Sequence, residues 1–107
     1  MFARKVSMQL KPNSTAALAT RFEKDIIPLL RRQHGFQDEI NFVTTGGKEA
    51  FAISLWDRTE DADAYSRAGY PEVLKFLATV VEGTPRVETF EVSNSTFHKV
   101  SAPAPGR

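Results

Sequence analysis

Residues 50–56 read Ala-Phe-Ala-Ile-Ser-Leu-Trp, a run with no charge on either alternating face. A strand apolar on one face and polar on the other can lie at a surface. One with Phe51, Ile53 and Leu55 on one side and Ala52, Ser54 and Trp56 on the other has to be covered twice. Gly46-Gly47 stands before it, and a second strand-like run precedes the glycines. The pair reads as a hairpin, because glycine accepts the positive φ of tight turns. The run ending at Trp56 is therefore a central strand. In a chain of 107 residues, one layer of helices covers only one of its faces. The second cover is expected from another chain or from a ligand cavity.

The other segments follow from their periods. Phe2, Val6, Met8 and Leu10 alternate with Ala3, Lys5, Ser7 and Gln9, a strand with unequal faces. Lys11-Pro12-Asn13 breaks it, and Asn13 or Ser14 is suited to cap the next helix. There Leu18, Phe22, Ile26 and Leu30 recur every four residues as one buried stripe. Pro28 removes a backbone hydrogen bond and clashes with the Lys24 carbonyl, which predicts a kink or a restarted final turn. Gly35, after His34, suits a left-handed helix end.

After Trp56, Asp57 or Thr59 is the expected cap of a helix running to about Arg67. Tyr70-Pro71 opens another, with Val73, Leu74, Leu77, Val80 and Val81 as its stripe and Gly83 as its stop. A last strand is expected from Arg86 to about Phe97. Residues 1–100 then make one domain, and Ser-Ala-Pro-Ala-Pro-Gly-Arg at 101–107 makes a flexible tail. The order strand, helix, strand, strand, helix, strand is the α+β, ferredoxin-like βαββαβ motif with a four-stranded antiparallel sheet.

Composition removes several functions. The formal charge of +1 and the scattered Lys and Arg residues give no nucleic-acid or membrane surface. With no cysteine, disulfides, iron–sulfur ligation and thiol nucleophiles are excluded. His34 and His98 have no short ligand spacing, so no metal site is expected. The N-terminus lacks the long apolar block of a signal peptide or membrane span, and the expected compartment is the cytoplasm.

Three stretches carry a resemblance: Pro-Leu-Leu-Arg-Arg-Gln-His-Gly-Phe at 28–36, the Gly46-Gly47 hairpin, and residues 50–65 running from Ala50 through Trp56 to Tyr65. Together they resemble the antibiotic biosynthesis monooxygenase-like family of dimeric α+β barrels, over roughly residues 2–97. The resemblance implies a homodimer in which two four-stranded sheets form a barrel, which would supply the second cover. It further implies a cofactor-independent monooxygenase acting on a small aromatic, quinol-like substrate, or a haem-degrading enzyme. Trp56 matches the pocket tryptophan of the oxygenases, and Ala52 stands where they carry an asparagine. Ser7 is nearest the first-strand asparagine of the haem-degrading members, and Tyr65 sits about where their histidine would be. The alternative is a non-catalytic dimeric barrel that binds a small hydrophobic molecule.

The candidate site residues are Trp56 and Tyr65 as catalytic groups, with Ser7, Ala52, Ser54 and Tyr70 contacting substrate. No cofactor is expected. Ala52 and Ser54 are small and share a face with Trp56, which leaves volume for an apolar pocket, or for Trp56 itself. The tyrosines offer hydroxyls that hold a ligand or donate a proton, or they complete the core. Lys5, Ser7 and Gln9 share one face and Gln37, Glu39 and Asn41 another; each set is a pocket lining, a wet barrel interior or an exposed face. His34 reads as a cap or solvated residue more than as a base, and His98 as a dimer contact or tail residue. Glu60, Asp61 and Asp63 read as a helix start favoured by the dipole.

Overall fold

A computed structural model describes residues 1–100; the expected tail at 101–107 lies outside the described residues. The elements are β1 (Phe2–Leu10), α1 (Thr15–Arg21), a π-helical segment (Phe22–Ile26), α2 (Ile27–Arg31), β2 (Phe36–Val43), β3 (Glu49–Trp56), α3 (Thr59–Ala68), α4 (Tyr70–Leu77) and β4 (Val81–Glu91). The four strands form one antiparallel sheet in the order β2-β3-β1-β4, so β1 and β3 are central. This is the α+β, ferredoxin-like arrangement that the periods predict.

The first helical arm carries the restart expected at Pro28, in a particular form. Proline cannot donate to the Lys24 carbonyl, and the backbone responds with a wider turn in which the Ile27 N–H bonds to the Phe22 carbonyl. Pro28 then falls in the opening turn of α2, where a missing N–H costs little. The wide turn also serves packing. A stripe recurring every four residues drifts about 40° per step around a helix of 3.6 residues per turn, and one broader turn takes part of that drift back. Leu18, Phe22, Ile26 and Leu30 all stay buried as a result. Each such side chain contributes about 1.5–3 kcal/mol on burial, so the four together would outweigh even the roughly 3 kcal/mol that a proline costs within an unbroken helix.

Local details differ from expectation in five places. Ser14 holds the position before α1, but its hydroxyl bonds back to the Pro12 carbonyl and caps nothing. Arg58, in an extended conformation, precedes α3, and neither Asp57 nor Thr59 caps it; Asp57 instead accepts from Gln37 at 2.7 Å. The stripe of α4 stops at Leu77, and Val81 already belongs to β4. Gly83, at φ 68°, does not stop a helix; it lies in β4. There β4 advances four residues, from Glu82 to Arg86, while β1 advances two, from Gln9 to Ser7, and a left-handed residue accommodates the bulge. Strand β4 ends at Glu91, short of Phe97.

The sheet has one face under the helices and one open. Trp56, Ile26, Leu30 and Leu77 are the largest side chains wholly buried in the covered layer. On the open face Phe42 and Phe90 are exposed, Phe51 is half-buried, and Phe42 stacks on Phe51 at 4.7 Å. Beyond β4 the chain crosses one end of this face. The Val92 N–H bonds to the Met1 carbonyl, and the His98 ring pairs with Asp38 of β2, on the far edge. No helix among the described residues is long and apolar enough to cross a membrane.

Candidate functional site

The register places three polar residues in a row beneath the helices. Arg4 of β1 pairs with Ser54 of β3, and Ser54 pairs with Glu39 of β2. The next row toward one end is Phe2, Trp56 and Phe36, and the next toward the other is Val6, Ala52 and Asn41. Glu39 reaches the covered face because β2 bulges at Gln37: Phe36 opposes Trp56, and Asp38 already opposes Leu55. The face expected for Gln37, Glu39 and Asn41 is broken there. Phe36 takes the place of Gln37, whose amide turns to Asp57.

The helices roof this row with aromatic rings. Trp56 stacks on Tyr65 at 4.9 Å and meets the edge of Phe36 at 5.5 Å. Tyr65 lies 6.1 Å from Tyr70. Gly69 permits that placement, because a Cβ there would stand 2.8 Å from Tyr65 Cδ1. The Arg4 guanidinium sits 4.2 Å from the Tyr70 ring centre and 5.3 Å from that of Tyr65. Such cation–π contacts strengthen when water is excluded, and Arg4 is only 4% exposed.

Hydrogen bonding in the site is incomplete. Trp56 Nε1 donates to Ser54 Oγ at 2.9 Å. Arg4 has one long bond among the described residues, from Nη2 to Ser66 Oγ at 3.4 Å. The guanidinium lies over the Tyr70 ring, and the Tyr70 hydroxyl is buried without a hydrogen-bond partner of good geometry among the described residues. Arg4 and Glu39 make no direct ion pair; two strand spacings, about 10 Å, separate their backbones.

A narrow cavity of about 20 Å³, room for one water, opens between the two helical arms and the sheet. Arg4, Glu39, Ser54, Tyr65 and Tyr70 supply its polar lining, and residues such as Met8, Phe22, Ile26 and Ala52 the apolar part. Burial pushes the Glu39 carboxyl up to about 8, against an opposing pull from Arg4. Burial likewise raises the Tyr65 and Tyr70 hydroxyls, with Arg4 again opposing. At neutral pH the tyrosines are therefore neutral donors, and Glu39 is mostly a neutral acid beside a permanent cation.

Of the residues singled out in the sequence, Ala52, Ser54, Tyr65 and Tyr70 come together around this cavity. Trp56 does not line it; wholly buried, it forms the layer behind Tyr65 and fills the volume its small neighbours leave. Ser7 points to the open face, where it borders a groove with Phe51 and Arg86, and cannot join the others. His34 is exposed beside Asp61, 3.7 Å away, outside the cavity. Asp61 itself is buried, with Arg58 also at 3.7 Å. No three His, Asp or Glu side chains converge as a metal site among the described residues.

The sequence reading missed Arg4, and it offered Glu39 only within a polar set that could line a pocket, a wet barrel interior or an exposed face. Arg4 was detectable as the one charge on the face of β1 that carries Phe2, Val6, Met8 and Leu10. The location of Glu39 depends on the bulge, which leaves no local signature.

No family model matches the chain, and no curated protein matches it. Solved structures do. A protein of unknown function from Nitrosomonas europaea is 20% identical, with a TM-score of 0.73 over 95% of both chains. A candidate antibiotic biosynthesis monooxygenase from Bordetella bronchiseptica is 15% identical, with a TM-score of 0.72 over 85% of this chain and 95% of that one. A mutant of SnoaB, a cofactor-independent oxygenase from Streptomyces nogalater, is 14% identical, with a TM-score of 0.71 over 89% of this chain and 95% of that one. At these identities the likeness is one of fold: the chain has the ferredoxin-like α+β architecture that these structures share.

Proposed function

We propose that this chain is a cofactor-independent monooxygenase acting on a small aromatic, quinol-like molecule bound between the helices and the sheet. The observation that carries the reading is the Tyr70 hydroxyl, buried and unpartnered at the edge of an apolar cavity that also holds the Arg4 guanidinium. A buried polar atom without a partner costs about 1–3 kcal/mol, and a ligand oxygen placed there would recover it. The fold shared with a cofactor-independent oxygenase supports the same reading.

In this reaction the electron-rich substrate reduces oxygen itself, through its own anion. One oxygen atom enters the substrate and the other leaves as water. The chain binds the anion, excludes water and presents neutral hydroxyls. Tyr65 and Tyr70 are the donors, Ala52 and Ser54 form the floor, and Trp56 is the wall that fixes Tyr65. A ring enters only if the lining parts. Met8 is unbranched and adaptable, and Phe22 and Ile26 bound the π-helical segment, a kind of turn that recurs at functional sites. A homodimer formed through the open sheet face would cover Phe42, Phe51 and Phe90. Oxygen uptake with quinol and anthrone substrates tests the proposal. Uptake no greater than that of Trp56→Ala and Tyr65→Phe controls refutes it.

A second reading, a dimeric barrel that binds a small hydrophobic molecule without turnover, is favoured by Ala52. It lines the cavity and offers no group to hydrogen-bond an oxygen. That reading predicts ligand-dependent melting with no oxygen consumed.

A further inference from the structure

We propose that the ligand carries an acidic hydroxyl, a phenol or an enol, whose proton passes to Glu39 while Arg4 holds the oxyanion that remains. The inference rests on the proposed aromatic-binding site and assigns its two charged residues. Both border one cavity, on the same cross-strand row with Ser54 between them, and neither satisfies the other. Arg4 has spent one long hydrogen bond of the five N–H groups a guanidinium offers. Its cation sits against the rings of two tyrosines, and its side chain lines the cavity. An oxyanion seated between Arg4 and the Tyr70 hydroxyl would satisfy both.

The proton balance is simple. Where Glu39 is ionised, the ligand O–H bond breaks and an O–H bond forms on its carboxylate; where Glu39 already holds its proton, the ligand proton leaves to solvent, and in neither case does an electron move. A carboxyl titrating near 8 is a much stronger base than an ordinary one and is half-ionised at a mildly alkaline pH, which suits it to that exchange. The groups facing Glu39 are few: Arg4 from β1, Tyr65 from α3, Tyr70 from α4 and the uncharged Ser54 from β3. The first helical arm presents Phe22, Ile26 and Leu30, all apolar. Once protonated, Glu39 donates toward the bound anion. When it is ionised instead, two negative oxygens share the cavity and binding weakens.

The test uses 4-nitrophenol, whose phenolate absorbs visibly apart from the phenol, in equilibrium titrations of the full chain. In the wild type the bound probe is expected as phenolate below the pH at which the free probe ionises. Its affinity, expressed for the phenolate, should fall about tenfold per pH unit above 8, because binding the anion takes up one proton. In Glu39→Gln, which keeps a donor and cannot ionise, the phenolate affinity should be flat over the same range. Arg4→Lys keeps a charge but loses the planar fork, and should weaken phenolate binding tenfold or more at unchanged melting temperature. A wild-type affinity independent of pH, or the same slope in Glu39→Gln, overturns the proposal. So does phenolate binding undiminished in a folded Arg4→Lys or Arg4→Met. Oxygen uptake separates the two proposals. Binding as described without uptake removes the oxygenase and keeps this assignment; uptake with a pH profile unaltered in Glu39→Gln does the reverse.

Discussion

Glu39→Gln should change how stability depends on pH, and the change can be worked from the structure. Unfolded, the carboxyl titrates at its ordinary value of 4.5; folded, it titrates at about 8. Between those values the native state holds a proton that the unfolded state has released. Stability is therefore greatest below 4.5 and falls as pH rises through 8. At about 1.36 kcal/mol per pH unit, the interval sets a ceiling near 5 kcal/mol. Glu39 is only half-buried, and solvent screening and local relaxation reduce such effects, so about 2 kcal/mol is the expected loss between pH 5 and pH 9. Glutamine does not titrate and removes this loss. The variant should be nearly as stable as the wild type at pH 5 and about 2 kcal/mol more stable at pH 9, or roughly 10 °C in melting temperature for a domain of this size. Urea and thermal melts of both proteins at the two pH values measure it, and every other titrating group cancels in the difference. A gap between the proteins that stays constant to within about 0.5 kcal/mol from pH 5 to pH 9 would refute the burial argument.

Other perturbations test other parts of the structure. Gly69→Ala places a methyl 2.8 Å from Tyr65 Cδ1 and should destabilise by about 1–3 kcal/mol, with altered Trp56 fluorescence as the stacked tyrosine shifts. Trp56→Phe removes the indole bond to Ser54; denaturant melts should show a loss of about 1–3 kcal/mol, from a smaller ring and an unpaired buried hydroxyl. Leu77→Ala empties part of the layer between α4 and the sheet and should cost about 2–5 kcal/mol by the same measurement. Phe42→Glu with Phe90→Glu charges the open face, where both rings are exposed. If the proposed homodimer forms through that face, sedimentation should show the wild type as a dimer and the variant shifted toward monomer; an unchanged sedimentation coefficient speaks against that contact.

Much of the fold was legible because its periods are strong. The uncharged run ending at Trp56 required a central strand, and β3 is central. The four-residue stripe from Leu18 to Leu30 required one helical face in spite of Pro28, and the π-helical segment keeps that face buried. Legibility failed where neighbouring periods overlap. Val80 and Val81 continue the apolar stripe of α4, yet Val80 lies in the turn and Val81 begins β4, so the helix end could not be separated from the strand start. The caps failed for a different reason: Ser14 and Asp57 have suitable oxygens, but Pro12 and Gln37 offer those side chains competing partners.

The candidate site divides along the same line. Alternation alone puts Ala52, Ser54 and Trp56 on one face of β3, and puts Arg4 on the apolar face of β1. These are local facts of a two-residue period, and the sequence by itself determined them. It could not place Ser7 on the face away from Ser54, since that depends on how β1 lies against β3. Nor could it bring Glu39 level with Ser54 and Arg4, because one extra residue at Gln37 reverses which side chains of β2 face the helices. Register and bulges are set by pairing between segments far apart in the chain, so only the tertiary structure decided that an arginine, a serine and a glutamate lie in one row under two tyrosines.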